Sequence, residues 1–170
     1  MKTSYEMKIA GFNRTLTLFP INEELYIAGF IMFGDTELTV AAAEELLKRA
    51  PEFDILLSAE AKGIPLVYEM SRQSGKKYIV ARKGPKLYMK DLVKVTVNSI
   101  TTEGQQKLYL DTADAELMKG KRSLIVDDVI STGESLKAVF DKVTALMRAG
   151  KVVACYTPTY GGVAEAVYKM

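Results

Sequence analysis

The feature that most constrains this chain is an order that occurs twice: a short apolar run, a helical stretch, then another short apolar run. Asp54 to Leu57 reads as a short buried strand, Ile64 to Gln73 as a helix and Lys77 to Ala81 as a second strand, with Gly63, Pro65 and Gly75 as punctuation. Ser123 to Val126, Ser135 to Arg148 and Lys151 to Tyr156 repeat that order further along. A helix that links two neighbouring strands sets them parallel, and short runs with few polar residues suit strands covered on both faces. The expected class is therefore α/β, with a mainly parallel central sheet flanked by helices.

The remaining segments fit around that sheet. Tyr5 to Ile21, YEMKIAGFNRTLTLFPI, alternates around an expected turn at Asn13-Arg14, which suggests a hairpin forming a small hood over residues 1–24. Leu25 to Phe33 reads as the strand that opens the core, taken as residues 25–156, and Glu37 to Ala50 has helical spacing through Leu38, Ala42, Leu46 and Leu47. Leu92 to Ile100 and Gln106 to Leu110 read as strands around a polar turn, Thr101 to Gln105. No repeat, low-complexity tract or linker divides the 170 residues, so one domain is expected.

Composition removes several chemistries. The chain has no histidine, the usual base for Ser or Cys nucleophiles and the usual zinc ligand. A metal, if used, is expected to be a hard cation held by oxygen, with magnesium the natural candidate. The lone Cys155 allows no intrachain disulfide, and a cytoplasmic location is the default. A net charge of +2 announces neither nucleic acid nor an anionic membrane. The first residues lack a signal-peptide core, and no apolar run approaches the roughly 18 residues needed to span a bilayer.

The segment LIVDDVISTGES, residues 124–135, carries the most chemistry. Its strand ends in Asp127 and Asp128, followed by a small polar turn, Ser131-Thr132-Gly133, that opens a helix. In open α/β sheets ligands bind beyond the carboxyl ends of the strands, where helix N-termini aim backbone N–H groups. Small residues let those amides approach a phosphate, and Ser131, Thr132 and Ser135 add hydroxyl donors. The adjacent carboxylates suit vicinal sugar hydroxyls, from which they accept hydrogen bonds.

This strand, acidic pair and loop resemble the signature of the type I phosphoribosyltransferases. Ser58 to Gly63, SAEAKG, is similar to that family's diphosphate loop, and Ala81 to Lys86, ARKGPK, to the basic segment of its purine branch. The likeness to adenine and xanthine phosphoribosyltransferases runs from about residue 25 to residue 155. It implies transfer of phosphoribosyl from 5-phosphoribosyl 1-diphosphate to a purine, giving a nucleoside monophosphate and pyrophosphate. It assigns donor binding to Ala59, Glu60, Ala61, Lys62, Arg82, Lys83 and Lys86, and to Asp127, Asp128, Ser131, Thr132, Gly133, Glu134 and Ser135. Magnesium is expected to be held mainly through the substrate diphosphate, with no metal site of the protein's own. Glu103 lies near the place of a proton-transferring Glu in adenine-specific members, one residue off in its spacing to Asp127, and slightly favours adenine. Ile27 or Phe30 is expected to touch the base. A homodimer is expected, with Arg82 to Lys86 reaching toward the neighbouring site.

Two further departures and two alternatives stand beside the resemblance. Glu134 stands where relatives often have a second Gly, xanthine-type relatives do without the Glu, and residues 157–170, TPTYGGVAEAVYKM, depart from the family's C-terminal segment. The first alternative is a regulatory protein that senses phosphoribosyl diphosphate without catalysis. Only about 25 residues precede the expected first central strand, too few for a winged helix, and the charge shows no DNA footprint. The second is a phosphoryl-accepting receiver, which has no use for the Ser131-Thr132-Gly133 turn.

Overall fold

The computed structural model describes residues 3–23, 26–89, 93–98, 105–129 and 152–155. The central element is a four-stranded parallel sheet in the order β5-β4-β8-β9, formed by Tyr78–Ala81, Ile55–Ala59, Ser123–Val126 and Val152–Cys155. β4 and β8 lie in the middle, and Ile55 to Ser58 and Ser123 to Val126 are all buried, as strands covered on both faces must be. The expected α/β class is confirmed, and β4, α2 (Ile64–Ser74) and β5 form the anticipated βαβ unit.

The helices on this sheet have identifiable ends. α1, Thr36–Arg49, starts where the Asp35 side chain accepts from the Leu38 N–H at 3.2 Å, and it stops at Ala50, which the following Pro51 keeps extended. α2 carries Pro65 in its first turn and ends at Gly75, whose φ of 70° is the left-handed cap. α1 and α2 lie against each other, and Leu38, Ala42, Leu66, Val67 and Met70 meet Leu56, Leu124 and Val126 from the sheet.

The hood differs from the sequence reading in two respects. The turn falls at Ala10-Gly11, with φ of 46° and 89°, and Asn13 and Arg14 lie inside a strand. Two positive φ values make a two-residue turn whose twist matches the strands on either side, β1 (Ser4–Ile9) and β2 (Phe12–Pro20). The second difference is β3, Tyr26–Gly29, which pairs antiparallel with β2 and completes a three-stranded hood sheet. Ile9, Leu16, Phe30 and Met32 bury the underside of this region in the same core as α1. Arg14 adds a latch, its guanidinium donating to both oxygens of Asp35 at 2.6 and 2.9 Å.

A separate hairpin, β6 (Val93–Asn98) with β7 (Gln105–Leu110), is antiparallel and joins the outer edge of β5 through the Arg82–Tyr109 backbone pair. A short helix absent from the sequence reading, α3 (Thr112–Met118), follows it, capped by Asp111 accepting from the Ala113 N–H at 3.0 Å. At the opposite end of the sheet from the strand C-termini, Arg122 donates to both Asp54 oxygens and holds that carboxyl well below the usual carboxylate range. Among the described residues, no helix is long and apolar enough to cross a membrane.

Candidate active site at the strand ends

Parallel register brings the predicted residues that follow β4, β5 and β8 to one end of the sheet. Ala59 pairs with Ala81 and Ser58 with Val126, so Glu60, Arg82 and Asp127 each follow directly from neighbouring strand ends. α2 begins at Ile64 beside them, adding the partial positive charge of a helix N-terminus.

Glu60 ties the first two loops together. Its backbone N–H donates to the Ala81 carbonyl at 2.9 Å, and its carboxylate accepts from the Lys83 N–H at 2.8 Å and from Arg82 at 3.2 Å. The Lys83 N–H chiefly, with the charges of Lys86 and Arg82, holds the Glu60 carboxyl below its ordinary value. Glu60 is thus occupied in joining the loops. Arg82 also donates to the Tyr88 hydroxyl at 3.2 Å, while the side chains of Lys62, Lys83 and Lys86 stand exposed around this end. The Glu60–Ala61 peptide is cis.

The acidic pair is packed much more tightly. Asp128 is 3% exposed, and its Oδ2 has no hydrogen-bond partner among the described residues. The Asp128 N–H donates to Asp127 Oδ1 at 3.0 Å. Burial and the adjacent Asp128 charge push the Asp127 carboxyl up to about 7, opposed by the Asp128 N–H and by the charge of Lys62. Such a pair gives up its last proton near neutrality and then presents carboxylate oxygens with unmet hydrogen-bonding capacity, suited to hydroxyl donors.

A stability test follows from this. Because the folded-state value lies above that of an unfolded Asp, the stabilising contribution is full below about pH 4 and is lost as pH rises through about 7. The melting temperature of wild type relative to Asp127→Asn is therefore expected to fall by several degrees between about pH 5.5 and pH 8. A difference that stays constant over this window would show that Asp127 is ionised throughout.

Other predicted residues are placed less directly. Ile27 is 44% exposed on the hood strand β3, whereas Phe30 is 7% exposed and sits in the core beside Leu16, Met32 and Leu38. Ser131, Thr132, Gly133, Glu134, Ser135 and Glu103 lie outside the described residues. No group of three or more Cys, Asp or Glu side chains is placed to hold a metal ion among the described residues. Sequence reasoning missed the role of Tyr88 beside Arg82 and read Gly63 as punctuation and as the end of the Ser58 to Gly63 loop, without its close approach to Asp127. A groove of about 430 Å³ lies along the outer edge of β5 between Tyr88, Arg82 and Asp114, and neither Asp127 nor Asp128 lines it.

Residues 35–164 match the phosphoribosyl transferase domain. The chain belongs to that family. A hypoxanthine/guanine phosphoribosyltransferase of Methanothermobacter thermautotrophicus is 33% identical over 112 residues, covering 65% of this chain and 54% of the relative. The corresponding protein of Methanothermococcus okinawensis is 30% identical over 139 residues, covering 79% and 70%. The chain spans about half the length of several such relatives. Adenine phosphoribosyltransferase from Saccharomyces cerevisiae, solved in complex with adenine and an imino-altritol bisphosphate, superposes with a TM-score of 0.68 at 19% identity, over 85% of this chain and 83% of that one. This likeness confirms the phosphoribosyltransferase fold. The resemblance carried by Ser58 to Gly63, Ala81 to Lys86 and residues 124–135 therefore holds at the level of the family.

Proposed function

We propose that this phosphoribosyltransferase-family chain is a purine phosphoribosyltransferase that joins phosphoribosyl from 5-phosphoribosyl 1-diphosphate to a purine ring nitrogen. The observation that carries the reading is the Asp127–Asp128 pair at the end of a central parallel strand, with Asp128 buried and its Oδ2 unpartnered among the described residues. In this reading the pair accepts hydrogen bonds from the ribose hydroxyls. The loop at Ala59, Ala61 and Lys62, together with Lys83 and Lys86, meets the diphosphate, and Glu60 holds Arg82 and the Lys83 backbone in place. Ser131, Thr132, Gly133 and Ser135 supply the 5-phosphate loop, with Glu134 beside them.

The chemistry is a displacement at the anomeric carbon. The bond from that carbon to the diphosphate oxygen breaks with its electron pair leaving on pyrophosphate, the purine nitrogen forms the new bond, and the nitrogen's proton is released. The transition state resembles an oxocarbenium ion, so positioning and neutralisation of the departing charge matter more than a nucleophile. A magnesium ion arriving on the substrate's own diphosphate would supply charge neutralisation there, as a hard cation that prefers oxygen donors. Lys62 and the α2 N-terminus act on the same charge.

Two features bear on the base. Glu103 favours adenine, while relatives 33–39% identical carry hypoxanthine/guanine names. The sequence relatives weigh the base toward a 6-oxopurine, since the adenine-specific structures are similar at the level of fold. Ile27 is one of several exposed apolar residues of the hood, with Tyr5, Phe19 and Ile21, and is the one assigned to the base in this reading. A homodimer is also proposed, supported by the exposed Leu87 and Tyr88 beside the Arg82 to Lys86 segment.

The test is nucleoside monophosphate formation from phosphoribosyl diphosphate and magnesium with adenine, hypoxanthine, guanine or xanthine supplied separately. Product from one or more bases establishes transfer and names the substrate. Donor binding without product from any base would favour the sensor. If adenine is used, Glu103→Gln is expected to depress turnover by about 10²-fold or more while leaving donor affinity unchanged. Unchanged turnover would remove Glu103 as an acid or base.

A further inference from the structure

Gly63 marks the point where the loop after β4 comes closest to the acid at the end of β8. Its backbone angles, φ −70° and ψ −11°, are open to any residue, so conformation does not require a glycine here. Space does require it. A Cβ at this position would lie 2.6 Å from Ser58 Oγ, 2.8 Å from Asp127 Oδ1 and 3.2 Å from the Asp127 α-carbon. None of these neighbours has room to retreat easily. Ser58 is fully buried in the middle of the sheet, and the touched Asp127 oxygen is the one that accepts the Asp128 N–H.

The arrangement has a chemical meaning at a site for phosphoribosyl diphosphate. The diphosphate and the 2- and 3-hydroxyls sit on adjoining parts of one ring, so the groups that receive them must approach within a few ångströms of one another. A side chain at residue 63 would separate them. We infer that Gly63 is a positioning residue: its missing side chain lets the diphosphate loop seat against Asp127 and fixes where the Asp127 carboxylate stands. This inference rests on the reading of Asp127 and Asp128 as ribose acids.

The test compares wild type, Gly63→Ala, Ser58→Ala and the double variant by calorimetric titration with phosphoribosyl diphosphate and magnesium, and with ribose 5-phosphate alone. Thermal melts of the same proteins are recorded between about pH 5.5 and pH 8. Gly63→Ala is expected to weaken both ligands by about tenfold or more, the equivalent of one compromised charge-assisted hydrogen bond. It should also shift the pH at which melting temperature changes through neutrality, because the Asp127 carboxylate is displaced relative to Lys62 and Asp128. Ser58→Ala in the double variant removes one of the two clashes, so melting temperature should recover while ligand affinity does not. If Gly63→Ala does not fold, the double variant carries the same comparison.

Wild-type affinity in Gly63→Ala, or full recovery of affinity in the double variant, would overturn the inference while leaving the ribose assignment standing. A wild-type protein that binds neither ligand would overturn both.

Discussion

Replacing Asp128 by Asn is expected to weaken phosphoribosyl diphosphate binding by about 100-fold and to leave the protein folded. Asp128 is 3% exposed, and its Oδ2 has no partner among the described residues. In the proposed site that group meets a ribose hydroxyl, and a hydrogen bond to a charged partner contributes about 1.5–3 kcal/mol. Stability should respond in the opposite sense. The substitution removes one of two adjacent like charges, and relief of that repulsion should hold the melting temperature or raise it by a few degrees. Titration and thermal melting of the same variant separate the two effects. Donor affinity unchanged from wild type would sink the ribose assignment.

Leu56→Ala is expected to have the reverse profile, a large loss of stability with intact ligand recognition. Leu56 lies in β4, hydrogen-bonded between β5 and β8, and its side chain is fully buried within the main core. Truncation removes buried methyl groups and leaves a cavity that strands on both sides keep from closing. The cost should be about 3 kcal/mol. For a chain of 170 residues this lowers the melting temperature by about 6–12 °C. Well below that temperature, donor affinity should match wild type, because Leu56 lies inside the strand and not at its ligand-facing end. A loss below about 1 kcal/mol in denaturant unfolding would show that this position is not at the centre of the core.

The two profiles correspond to what could and could not be read in advance. The β4–α2–β5 unit was legible because its apolar runs are uninterrupted and Gly63, Pro65 and Gly75 fall at element ends. The hood turn was misread because Asn13-Arg14 looks polar and turn-like, whereas the positive φ of Ala10 leaves no mark in the sequence. Leu25 to Phe33 was legible as strand-forming, but nothing local says that Tyr26–Gly29 pairs with β2 in the hood. α3 has seven residues, about two turns, too few for periodicity to register.

The candidate site shows the same division. Asp127, Asp128, Lys62 and Arg82 could be found because each follows a strand end, and parallel pairing brings such residues together. The Glu60–Lys83 hydrogen bond and the Gly63–Asp127 approach could not, because they depend on how two crossover connections return to the sheet. Phe30 illustrates the remaining ambiguity: the same apolar character suits a base contact and the core position it occupies.

The central claim is that the strand ends around Asp127 and Asp128 receive phosphoribosyl diphosphate, and calorimetric titration of that compound into the protein with magnesium tests it most directly. The account predicts one saturable binding event of micromolar strength, lost when Asp127 and Asp128 are both replaced by Asn. Absence of binding by the wild type, or binding unaffected by the double replacement, would contradict it.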